Sequence, residues 1–311
     1  MGKGKRPAPV LLQTGTGRFQ AFAVRRFIAK TAKIHNQYYS NKAAESQRKP
    51  KGKRVDEMPR MKRVTVSGAV LEQEIFNVAP NTKNVKGAVP KPLTERTAEE
   101  KEKYNLKQAL KRFIRIVNHN FSPAAYYVTN TFDDAHLPQD FKAARRALDN
   151  YIRRLQYAFP GMVAVAVMGR GKRSGRIHIH CIISGADEKT IREKWTHGKI
   201  KRIEPLRGHN FYNGVDHGQD YTALATYLFN HWTPEQGSGK RWKQTKTIQQ
   251  PDRKKPTFPK RRYSIDKPPV TPKGYMLVEK RESAHYLGGY LLFKYVKIPP
   301  PGAGTNAKML C

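Results

Sequence analysis

Three shortages frame this chain of 311 residues. Thiols are rare, with only Cys181 and Cys311, too few for a disulfide framework or a four-ligand zinc site. Acids are scarce, 24 aspartates and glutamates against 60 lysines and arginines, for a formal net charge of +36. Long apolar runs are missing as well. The longest, Met162 to Met168, spans seven residues, about a third of a membrane-spanning helix. No apolar stretch of signal-peptide length follows the opening Met-Gly-Lys-Gly-Lys-Arg. A disulfide-stapled secreted protein and a helical membrane protein are therefore excluded, and no membrane partner is expected. The surplus of cations predicts a polyanionic partner, most commonly nucleic acid.

The charge is unevenly spread. Residues 1–63 hold 17 lysines and arginines against 3 acids, and residues 240–280 hold 13 against 3. Both stretches are broken by Pro, Gly and Ser, and such segments bury too little apolar surface to offset the entropy of ordering. Within the first, Phe19 to Tyr39 has the pattern of a basic amphipathic helix. The expected organisation is a basic, partly disordered extension over 1–93, a folded domain over 94–250, and a basic Pro-rich extension over 251–311.

Periodicity is concentrated in the middle. Thr97-Ala-Glu-Glu100 fits a capping box, and Leu106, Leu110, Phe113, Ile114 and Val117 follow at helical spacing. Tyr126 to Phe132 reads as a strand. Phe141 to Phe159 repeats apolar residues as a helix, closed by Pro160-Gly161. Met162 to Met168 reads as a strand buried on both faces. After the basic turn Gly169 to Gly175 comes a third strand, Arg176 to Ile183, joined too tightly for anything but a hairpin. Helices over Lys189 to Lys194 and Tyr221 to Trp232 complete the series. The order predicts an α+β fold, an antiparallel sheet with helices on one face.

His178 and His180 carry the chemistry. Two apart on a strand, they point the same way, while Ile177, Ile179 and Cys181 face a core. Two neutral imidazoles on one rigid face can share a divalent cation, here expected to be Mg²⁺ or Mn²⁺, with carboxylate or water oxygens completing the shell. Alone, the pair is equally well two half-exposed histidines on an open sheet. Tyr227 is the second element. On its helix it shares a face with Leu224, Leu228 and His231, and a phenol becomes a useful nucleophile when a metal polarises the phosphate it attacks. Tyr221, six residues earlier, is the other candidate nucleophile. Arg170, Lys172, Arg173 and Arg176 flank the histidine strand, and Lys240, Arg241, Trp242 and Lys243 follow the tyrosine helix. The cations suit phosphates and Trp242 suits base stacking.

In combination these segments resemble the rolling-circle replication initiators of the HUH endonuclease superfamily, particularly the replication-associated proteins of phages and plasmids. Lys111 to Phe121 with Tyr127 to Asp134 is similar to the family's first motif region. Gly175-Arg-Ile-His-Ile-His-Cys-Ile-Ile183 is similar to the His-hydrophobe-His motif, and Trp195-Thr-His-Gly198 to a Trp-x-x-Gly after it. Ala225-Thr-Tyr-Leu-Phe-Asn-His231 resembles the tyrosine motif, and Gly239-Lys-Arg-Trp242 the basic segment that follows. The resemblance covers about residues 105–250. It implies a ferredoxin-like or RRM-like sheet and a nickase that forms a 5′-phosphotyrosine and frees a 3′-OH primer. It also implies single-stranded DNA at a replication origin, a host helicase and DNA polymerase as partners, and the cytoplasm of a bacterial host as location. Two positions depart from the pattern. Met168 stands where the family places a metal ligand, so Asp133 and Asp134 are the substitutes considered. Asn230 stands where a Lys usually follows the tyrosine. The alternatives are a transposase or relaxase with the same residues, and a non-catalytic basic nucleic-acid-binding protein with a degenerate site.

Overall fold

The structure, a computed structural model, describes residues 60–78, 97–171, 174–236, 240–285 and 288–298. The helix expected over Phe19 to Tyr39 lies outside the described residues, as do Lys172 and Arg173. In chain order the elements are β1 (Arg60–Ser67), β2 (Val70–Asn77), α1 (Ala98–Asn120), β3 (Tyr126–Thr131), α2 (Phe141–Ala158), β4 (Val163–Arg170) and β5 (Ile177–Ser184). They continue with α3 (Glu188–Glu193), β6 (Ile200–Pro205), β7 (Phe211–Tyr212), β8 (Val215–Asp216), α4 (Thr222–Phe229), β9 (Lys243–Gln244), β10 (Asp252–Arg253), β11 (Tyr275–His285) and β12 (Gly288–Lys297). The fold is α+β with antiparallel sheets, as the element order implied. Among the described residues no helix is long and apolar enough to cross a membrane.

The central sheet runs β6-β3-β5-β4-β9, with every neighbour antiparallel. Thr97 caps α1 in the expected box, its hydroxyl accepting from Glu100 N and Glu100 returning the bond to Thr97 N, each at 3.2 Å. Asp140 caps α2 by accepting from Ala143 N at 2.7 Å. Phe141, Ala144, Leu148, Tyr151, Ile152 and Leu155 of α2 then pack on Ala164, Ala166 and Met168 of β4 and Ile177, Ile179 and Cys181 of β5. Burying apolar side chains of this size stabilises by roughly 1.5–3 kcal/mol each.

Helices cover both faces, where the sequence pattern had been read as placing them on one. Phe113, Ile116 and Val117 of α1 and Ala225, Leu228 and Phe229 of α4 meet Val165, Val167 and Ile182 on the second face. The cause is the run from Met162 to Met168, whose two sides are equally apolar, so neither can be left to water.

A second five-stranded sheet, ordered β10-β1-β2-β12-β11, is drawn from the two stretches expected to be extensions. Its own core is Leu71, Ile75, Tyr263, Leu291, Phe293 and Tyr295. The β1–β2 turn needs Gly68, at φ +59, because any Cβ there would lie 2.1 Å from Asn118 O of α1. The opposite face meets α1 through charge. Arg115 bonds Glu72 at 2.5 Å and Glu74 at 2.9 Å, Lys111 bonds Glu74, and Lys294 reaches Asp220 at 2.5 Å, just before α4. Removing one partner of a buried pair leaves the other uncompensated, at a typical cost of about 3–5 kcal/mol.

Burial alone would push the Glu74 carboxyl up, but Lys111 and Arg115 outweigh it and hold it at about 2. Lys111, under the same burial, sits below its own usual range despite the pairing. A carboxylate depressed on folding stabilises above its unfolded pKa, about 4.5, and that contribution is lost as pH falls toward about 2. Thermal melts of the protein should therefore lose stability steeply from pH 5 to 3. Glu74→Gln should lower stability by about 3 kcal/mol at pH 7 and flatten that acid limb; an unchanged pH profile would contradict the pairing.

Candidate active site

Strand β5 alternates as its pattern requires. Ile177, Ile179 and Cys181 are sealed against α2, which turns His178 and His180 toward α4, with ring centroids 4.7 Å apart. His180 is 4% exposed. Past the last turn of α4, His231 folds back over the strand. Its ring lies 4.4 Å from His180, 5.7 Å from His178 and 4.4 Å from Tyr227. Ligand atoms of the three histidines all fall within 4.8 Å of one another. Sequence reading placed His231 on the tyrosine face but did not count it as a ligand; its spacing four residues after Tyr227 was the available signal.

Sheet register explains why Met168 seemed to leave a gap. Met168 pairs with Ile179 and faces the α2 core. Gly169 is the residue across from His178, and a Cβ there would stand 2.7 Å from His231 Cδ2 and 3.2 Å from His178 Nε2. The missing side chain on β4 makes room for a third imidazole from α4. Asp133 and Asp134 do not join the cluster. The first accepts from His136 N and Nδ1 at 2.9 and 2.7 Å, and the second pairs with Arg176. Both sit at the exposed end of β3, held by local partners.

Second partners orient the rings. His231 Nδ1 donates to Tyr227 O at 2.8 Å. His180 Nδ1 lies 2.7 Å from the Tyr127 hydroxyl and 3.1 Å from Thr129 Oγ1, and His180 Nε2 is buried without a hydrogen-bond partner. His178 bonds the backbone of Arg176. A protonated Nδ1 puts the ring's lone pair on Nε2, the usual state of a ligating imidazole. Burial, then His231 and His178, drives His180 down to about 2, and burial and His231 lower His178. Both are neutral at pH 7, as ligation needs. Three nitrogens without a carboxylate suit transition ions and take Mg²⁺ poorly, so of the two expected ions Mn²⁺ fits better.

Tyr227 is 37% exposed at the mouth of the cluster, its ring centroid 5.8 Å from His180. Burial pushes its hydroxyl up, while a hydrogen bond from Tyr127 and the Arg202 guanidinium pull it back. Asn230, in the position expected of a lysine, caps α4 with its backbone N–H. Arg202 of β6, paired with Glu204 at 2.6 Å, is a cation close to the tyrosines, its Cζ 5.7 Å over the Tyr127 ring. Sequence could not reveal it, because it arrives from a strand two places across the sheet, opposite Thr129.

Other expected residues are placed differently. Tyr221 is 2% exposed and donates to Arg207 O at 3.1 Å. Burial pushes its hydroxyl up to about 12, so it is an anchor for the start of α4 rather than a presented nucleophile. Trp242 packs against Phe113 and Phe229, at 5.0 and 6.2 Å, and donates to Gln244, so its ring is partly buried against the core. Arg170 pairs with Glu235 at 3.0 Å, Arg176 with Asp134 and Lys243 with Asp149 at 2.8 Å. Arg241 lies 3.6 Å over the Trp232 ring, and Lys240 is exposed.

Calorimetric titration with Mn²⁺ should show one site whose affinity falls by about 10-fold or more in His231→Ala and also in Gly169→Ala, where the new methyl displaces His231. Equal affinity in Gly169→Ala and the unmodified protein would remove His231 from the shell. No protein-family model, curated protein or solved structure matches the chain.

Proposed function

We propose that the protein is a metal-dependent, strand-specific nicking and joining enzyme for single-stranded DNA, acting as a rolling-circle replication initiator with Tyr227 as nucleophile. The observation that carries this is the convergence on one face of His178, His180, His231 and a half-exposed Tyr227. The resemblance to HUH initiators supplies the polarity of the linkage and the priming role.

A divalent cation held by the three imidazoles would polarise the scissile phosphodiester. Tyr227 Oη attacks phosphorus, a P–O bond to the tyrosine forms, and the bond from phosphorus to the 3′ oxygen breaks. The phenolic proton passes to solvent at the exposed mouth, and the departing 3′ oxygen takes up a proton as a free 3′-OH. One phosphodiester is exchanged for another, so the reverse attack reseals the strand without ATP. Tyr127 holds the nucleophile by a hydrogen bond that favours its ionised form, and Arg202 favours the same charge.

Incubation with a pool of single-stranded oligonucleotides and Mn²⁺, followed by denaturing electrophoresis, should show protein-linked DNA. The adduct should vanish in Tyr227→Phe and His178→Ala and persist in Tyr221→Phe. No adduct under any condition, with DNA still bound tightly, would leave a binding protein. Arg202→Gln should slow adduct formation by about 10-fold or more, with Arg202→Lys in between. A rate indifferent to both would exclude Arg202 from the chemistry.

A further inference from the structure

The most cation-dense exposed segment described lies far along the chain from the histidine cluster, on the edge of the second sheet. Between Arg253 and Arg262 stand Arg253, Lys254, Lys255, Lys260, Arg261 and Arg262, with no acid among the ten residues. All six are exposed, and among the described residues none makes an ion pair. The sequence alone predicted a mobile tail here. Instead the segment is pinned to β1. Arg253 pairs with Thr65, Lys254 N donates to Val64 O at 3.0 Å, and Thr257 and Lys62 exchange backbone bonds at 2.7 and 2.8 Å. It then enters the sheet's own core at Tyr263.

Fixing like charges in place is costly. Arg63, across the edge, is held below its usual range by burial and by Arg253, so the protein alone carries a repulsion that a bound anion relieves. One ordinary explanation is protection of a sheet edge, for which Lys and Pro are common devices. That leaves Phe258 unexplained. It is 72% exposed in the middle of the strip, and Pro256 and Pro259 restrict the backbone on either side of it. An exposed ring would weaken edge protection, whereas an aromatic among cations is what unpaired bases stack upon.

We propose that residues 253–262 form a second binding surface for single-stranded DNA, with the cations tracking phosphates and Phe258 stacking a base. The proposal rests on the nicking reading only for the identity of the polyanion. Its test reads binding alone, in a Tyr227→Phe background, so the two fail separately.

Fluorescence anisotropy would compare a labelled 20-nucleotide strand with its duplex. The triple variant Lys254→Ala, Lys255→Ala, Arg261→Ala should bind the strand about 20-fold more weakly at 0.1 M salt. Its log–log salt slope should fall by about 2, as expected for three phosphate contacts. The control Lys142→Ala, Arg146→Ala, Arg153→Ala, which removes the same charge from exposed positions of α2, should lose less than about 3-fold. Phe258→Ala should weaken the single strand by about 5-fold or more and leave the duplex within about 2-fold. Equal losses in the two triple variants would overturn the proposal. So would a Phe258→Ala variant that binds the single strand normally, or one that loses strand and duplex alike.

Discussion

The site depends on one constraint, the period of two along β5. Three of its residues, Ile177, Ile179 and Cys181, are sealed in the core beneath α2, which leaves the strand no freedom to slip by one place without burying both histidines' polar atoms there. That dry face fixes His178 and His180 as firmly as any direct contact does. The opposite face is then closed by α1 and α4, whose apolar residues pack on Val165, Val167 and Ile182. Because α4 is held by the same sheet, Tyr227 and His231 are delivered to the histidines by ordinary helix-on-sheet packing.

Gly169 shows how narrow the arrangement is. A strand residue with a side chain would occupy the space that His231 fills. The third imidazole of the cluster thereby comes not from the neighbouring strand but from just past the end of α4, four residues after Tyr227. One consequence is that the third histidine and Tyr227 share a backbone turn, linked by the bond from His231 Nδ1 to Tyr227 O. Tyr127 makes a second link, lying against His180 and hydrogen-bonded to Tyr227. Arg202, paired with Glu204, lies over the Tyr127 ring, and Asn230 ends the helix.

Local chemistry made much of this legible in the sequence. The capping box at Thr97, the α2 stripe, the hairpin from Met162 to Ile183 and the shared face of His178 and His180 all follow from spacing within a few residues. What escaped notice depends on register and long-range pairing. Met168 and Gly169 differ only in which face of β4 they occupy, and a count along the chain cannot tell them apart without knowing that Gly169 meets His178. Arg202 required the pairing of β6 with β3. The second sheet joins strands more than 200 residues apart, β2 with β12, so each hairpin looks like an isolated fragment in a basic tail. The packing of Trp242 on Phe113 and Phe229 was hidden because composition reports a residue's type and not its neighbours. The buried charges at Arg115, Glu74 and Lys294, which no local pattern singles out, are what hold that sheet to α1 and to the start of α4.

The central claim is that Tyr227 forms a covalent bond to DNA beside the three histidines. Mass spectrometry of the nuclease- and protease-digested adduct tests it most directly, since fragmentation of the peptide carrying Tyr212, Tyr221 and Tyr227 locates the nucleotide. A nucleotide phosphate on Tyr227, formed with Mn²⁺ and absent from His178→Ala, is the predicted result. The same modification on Tyr221 or Tyr212, or adduct formation indifferent to the histidines, would contradict it.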